Sequence, residues 1–141
     1  MTINRTGSAI WQGGIKDGKG TISTESGALD GHPYGFAMRF EDVKGTNPEE
    51  LIGAAHAGCF SMFLSAILTK DGFPPAEIRT TAKVHLGAGP AITLIELETE
   101  AVVPNCDEAT FLAHADQAKA GCPVSKALSA VPMQLKATLK P

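Results

Sequence analysis

The chain has 141 residues, a formal net charge of −3, 43% hydrophobic and 19% charged residues, and no low-complexity tract. This suits one folded domain, residues 1–141, and excludes a disordered chain. With no basic run or phosphate-tracking stripe it offers nothing to nucleic acid or to anionic lipid, and three cysteines without a CxxC pair do not make a secreted disulfide scaffold.

The opening residues are polar and lack the apolar core of a signal peptide, so the expected compartment is the reducing cytoplasm. Short strands follow. Ala9-Ile10-Trp11 sits in a Gly-bounded run, and Asp17-Gly18 with Gly20 turns the chain into Thr21-Ile22-Ser23-Thr24. Asp30-Gly31-His32-Pro33 precedes Tyr34–Phe40, where Tyr34, Phe36, Met38 and Phe40 alternate with Gly35, Ala37 and Arg39. That pattern predicts a third strand of an antiparallel meander.

Asn47-Pro48-Glu49-Glu50 is a helix start: a cap, a proline suited to the first position, and two acids at the positive end. The helix should run to about Lys70. From Leu51 to Leu68 it is apolar on nearly every side, as a buried core helix is, and a chain of this size can hardly enclose it alone. A second subunit is therefore expected to cover part of it. Two longer strands follow. Ala82, Val84 and Leu86 share one face of the first. In the second, Ile95, Leu97, Thr99, Ala101 and Val103 alternate with Glu96, Glu98 and Glu100. Asp107 caps a helix reaching about Ala120, with Gly121 as a stop. Cys122-Pro123 restarts a short helix, and Val131, Met133, Leu135, Ala137 and Leu139 give a last alternating strand. The order β-β-β-α-β-β-α-β is that of an α+β chain.

The candidate chemistry lies in thiols. Cys59, mid-helix, reads first as a small buried hydrophobe; as a reactive thiolate it needs a cation, and Arg39 is the candidate. Cys122 stands at a helix N-terminus, which favours a thiolate. Glu49 is ten residues before Cys59, about 15 Å along one straight helix, so it could approach only the Cys59 of a partner whose helix crosses antiparallel. His56, three positions before Cys59, reads as a core histidine or as half of a Cys–His hydrolase pair. His114 lies between Cys106 and Cys122 without a zinc-ligand spacing; Cys106 reads as an incidental exposed thiol, and His32 and His85 carry no constellation.

Gly45–Met62, with Asn47-Pro48-Glu49-Glu50 and Cys59 inside it, and the run Ala118–Ser125 around Cys122 together resemble the OsmC/Ohr family. Gly18–Thr21, Tyr34–Phe36 and Arg39–Glu41 are similar too, so the resemblance covers nearly the whole chain. It implies an intertwined homodimer with antiparallel sheets wrapped around long central helices, and thiol-dependent reduction of organic hydroperoxides at sites on the subunit interface. It implies that Cys59 attacks the peroxide, Cys122 resolves the sulfenic acid, Arg39 serves the thiolate and Glu49 positions Arg39. No metal or bound cofactor is implied; an external dithiol, of lipoyl type, would reopen the disulfide. Phe60, Met62 and Phe63 are candidates to line an alkyl pocket. The competing expectations are a non-catalytic small-molecule-binding stress protein on the same fold, and a Cys–His hydrolase.

Overall fold

A computed structural model describes residues 2–141, which fall into two compact units divided between Leu51 and Ile52. In the N-terminal unit, β1 (Gly7–Gln12), β2 (Lys19–Thr24) and β3 (His32–Tyr34) form an antiparallel sheet in sequence order. Gly20 sits where an added Cβ would lie 2.4 Å from the Tyr34 ring and 2.8 Å from that of Trp11, which pack on each other at 5.4 Å.

The expected strand over Tyr34–Phe40 is corrected here. After Gly35 the chain coils into α1 (Phe36–Phe40). Phe36 and Phe40 fit a period of two, but they also stand one helical turn apart, and their rings meet at 4.9 Å. Arg39 consequently projects from the last turn of a helix, not from the small-residue face of a strand.

The long helix α2 (Pro48–Lys70) begins as its cap predicts: the Asn47 side chain accepts from the Glu50 N–H at 2.8 Å. It leaves the first unit and continues into the second. There β4 (Glu77–Gly87), β5 (Ala91–Val102) and β6 (Met133–Lys140) form a sheet in that order. β4 and β5 are antiparallel, but β5 and β6 run parallel, which corrects the expectation of wholly antiparallel sheets. A parallel pair needs a crossover, and α3 (Glu108–Gly121) with α4 (Pro123–Ala127) supplies it. α1 is an addition to the expected order, and α4 is the short helix expected after Cys122-Pro123.

The alternation read from the strands sets the core. Ile95, Leu97, Thr99 and Ala101 on β5 are buried, and register places Val84 and Met133 beside Ile95, Ala82 and Leu135 beside Leu97. Phe60, Leu64 and Leu68 of α2 and Phe111 and Ala118 of α3 complete the cluster. α2 has the length and mean hydropathy (1.8) of a membrane span, but those three buried side chains make it a core helix. Two glycines set its approach. A Cβ at Gly53 would meet the Ala82 carbonyl oxygen at 2.9 Å, and one at Gly121 would meet the Phe63 ring at 2.9 Å, so α2 lies close to β4 and to the α3–α4 junction.

Its other side is uncovered. Ala54, Ala55, Gly58, Met62 and Ala66 are exposed, Met62 at 78%. This stripe of small residues and one large apolar side chain follows the spacing of a single helix face.

Candidate active site

Two constellations emerge, one in each unit. In the first, Arg39 and Glu49 form a bidentate pair: Arg39 Nε donates to Glu49 Oε1 at 3.1 Å and an Nη to Oε2 at 3.0 Å. The carboxylate is nearly buried and the guanidinium is 36% exposed, over the Phe40 ring. Glu49 comes from the first turn of α2, and Asn47 binds the Met38 carbonyl at 3.3 Å, tying that turn to α1. The fork leaves part of the guanidinium free to meet a second negative group.

In the second, α2 brings Cys59 to the start of α4. The Val124 N–H faces Cys59 and favours its thiolate, while the next amide, that of Ser125, donates to Cys122 Sγ at 3.3 Å. Cys122 lies close enough to Cys59 to act on it by hydrogen bonding and by charge, and all three cysteines are free thiols. Burial pushes the Cys59 thiol up, the Val124 N–H opposes this, and Cys122 pushes it up further. Within this unit, no lysine or arginine among the described residues offsets that rise.

Ser125, a residue the sequence reading did not single out, links this pair to His56. The Cys122 thiol donates to Ser125 Oγ at 3.1 Å, and Ser125 Oγ lies 2.7 Å from His56 Nε2. In the tautomer that carries its hydrogen on Nδ1, His56 accepts at Nε2 from the Ser125 hydroxyl, which itself accepts from Cys122. His56 is completely buried, its Nδ1 has no partner, and burial pushes its pKa down. The signal for Ser125 was present as Cys-Pro-x-Ser, a capping cysteine followed three residues later by a hydroxyl.

Other candidates are placed elsewhere. His114 binds the Thr110 carbonyl and Asp71, each at 2.7 Å, which accounts for both ring nitrogens. Cys106 is half-buried rather than exposed; its thiol is pushed up by burial and by Asp107. His32 accepts from the Asp30 N–H, and His85 pairs with Glu96. Phe60 is fully buried in the core.

The family profile of OsmC-like proteins matches residues 41–136, a span holding Glu49, Cys59 and Cys122. The chain belongs to the OsmC family. It is 59% identical over 133 residues to Peroxiredoxin OsmC of Escherichia coli (strain K12), covering 92% of this chain and 93% of that protein. Its fold is that of an OsmC-like protein from Mycoplasma pneumoniae (TM-score 0.76, 16% identity, 99% of each chain). It is also that of the organic hydroperoxide resistance protein OhrB of Bacillus subtilis (TM-score 0.65, 23% identity, 96% of this chain and 98% of that one).

Proposed function

We propose that this chain, an OsmC-family peroxidase, reduces organic hydroperoxides through Cys59 and Cys122 and is returned to its dithiol form by an external lipoyl-type dithiol in a reducing cytoplasm. The observation that carries this reading is the closeness of Cys59 to Cys122 at the start of α4. The Cys59 thiolate attacks the outer oxygen of R–O–O–H. The O–O bond breaks, Cys59 becomes a sulfenic acid, and the alkoxide takes a proton to leave as the alcohol. Cys122 then attacks the Cys59 sulfur, forming the disulfide and releasing water. A dithiol reopens that bond by exchange, becoming a disulfide itself.

The first step needs a cation, since burial and Cys122 both oppose ionisation of Cys59. Arg39, held by Glu49, fits that need electrostatically and would also polarise the peroxide. Glu49 stands ten residues before Cys59 on the same helix, about 15 Å along its axis. The pair therefore serves the Cys59 of a second chain, across an intertwined homodimer in which the uncovered Ala55–Gly58–Met62–Ala66 face of α2 meets its counterpart. Small residues there let two helices approach closely. On this reading residues 1–141 act as one functional domain.

Steady-state consumption of cumene hydroperoxide with dihydrolipoamide tests the activity. Cys59→Ser should reduce it to background, and Cys122→Ser should leave a sulfenic acid that dimedone traps. Full dithiol-dependent turnover in Cys59→Ser would refute the assignment. Light scattering should give the mass of two chains, and Met62→Lys should lower it.

A further inference from the structure

We propose that Ser125 and His56 form a proton relay that activates Cys122 for its attack on Cys59, Ser125 as a catalytic residue touching the reacting sulfur and His56 as a positioning residue acting through it. This deepens the peroxidase reading and rests on it. Its basis is a continuous buried chain: Cys122 Sγ to Ser125 Oγ at 3.1 Å, then Ser125 Oγ to His56 Nε2 at 2.7 Å, with all three residues buried.

With the His56 hydrogen on Nδ1, each donor in that chain points toward the histidine. As Cys122 attacks, its thiol proton passes to Ser125 Oγ while the Ser125 proton passes to His56 Nε2, leaving an imidazolium. The new S–S bond forms as the Cys59 S–OH bond breaks. The departing hydroxide takes one proton, returned from His56, and leaves as water. Cys59 sulfenic acid plus Cys122 thiol gives disulfide plus water, with no further reagent. His56 lies one helical turn from Cys59, so the proton has a short way back to the leaving oxygen.

A second observation separates this from packing. A histidine placed only to fill space would not leave a buried ring nitrogen without a partner, because such a group costs about 1–3 kcal/mol. Here the unpartnered Nδ1 leaves the imidazolium poorly stabilised, so a proton taken at Nε2 is readily given up. The titratable groups around the relay are Cys59 on α2 and Cys122 at the α3–α4 junction. Lys119 and Lys126 line the open cavity beside Ser125, and burial alone lowers the His56 pKa.

The test isolates deprotonation of Cys122 from peroxide chemistry. In a Cys106→Ser background, 2,2′-dithiodipyridine reacts first at the half-buried Cys59 and releases one thiopyridone. Cys122 then attacks the resulting mixed disulfide and releases a second. Relative to the first release, Ser125→Ala and His56→Asn should each slow the second by at least about tenfold near neutral pH. The deficit should shrink as the pH is raised, because hydroxide then takes the proton without the relay. Ser125→Thr, which keeps the hydroxyl, should restore most of the rate. A second release unchanged relative to the first, or a deficit equal at every pH, overturns the relay. Loss of cumene hydroperoxide turnover in the wild-type chain, with the Ser125 dependence of the second release intact, would instead overturn the peroxidase reading and leave the relay standing.

Discussion

Two buried histidines meet helix α2 in different ways. His114 comes from α3 to the α2 terminus, where Asp71 takes one ring nitrogen and the Thr110 carbonyl the other. His56 stands inside α2 with Ser125 on one nitrogen and nothing on the other. The first arrangement satisfies every hydrogen-bonding group and locks two helices together. The second leaves a group unsatisfied beside two sulfurs. A fully satisfied polar network stabilises a fold, whereas one left short of a partner beside reactive groups marks chemistry.

The largest expected effects fall on turnover and should divide the two regions cleanly. Cys59→Ser should bring hydroperoxide consumption to background, while His114→Gln should leave kcat/KM at its wild-type value. A large loss in His114→Gln would show that both histidines serve the reaction and would dissolve the contrast.

Next come effects on stability, which should fall on the other region. His114→Ala removes a nearly buried ring and both of its hydrogen bonds and should cost about 2 kcal/mol in urea unfolding, discounted because Asp71 is half exposed. Gly121→Ala should cost about 1–3 kcal/mol, because a new Cβ would press on the Phe63 ring. It should also slow formation of the Cys59–Cys122 disulfide, since Phe63 lies one turn beyond Cys59 on the same helix. An unchanged unfolding midpoint would mean that the ring gives way freely.

The sequence carried the stabilising region better than the reactive one. Asn47 and Asp107 announced their helices, and the β5 and β6 alternation placed Ile95, Leu97 and Met133 correctly, because caps and periodicity are local. Direction of pairing is not local. Alternation tells which face of β6 is buried, not whether β6 runs with β5 or against it, although the intervening helices already implied a crossover. Tyr34–Phe40 misled because its aromatic spacing satisfies two periods at once, and the Arg39–Glu49 pair that accompanies the helix joins residues of different elements. The proximity of Cys59 to Cys122 was implied only by family resemblance, and Ser125 was hidden as one serine among many.

The smallest effect, a slope in stability with pH, sharpens the comparison most. The Thr110 carbonyl, together with Asp71, holds the His114 pKa above its ordinary 6.5 despite burial. Its contribution to stability is therefore fully present below 6.5 and is lost as the pH rises through the higher folded value. Burial holds the His56 pKa below 6.5, so the unfolded chain takes its proton first, and stability declines as the pH falls from 6.5 toward the lower folded value. The wild-type chain combines a rise and a fall on either side of 6.5. His114→Gln should lose the decline on the alkaline side and keep the acid one. His56→Asn should do the reverse. Urea midpoints measured from about pH 5 to 8 would separate the two. If both variants kept the wild-type profile, neither histidine would be protonated differently in the folded and unfolded chains, and the contrast between a satisfied and an unsatisfied imidazole would have no thermodynamic content.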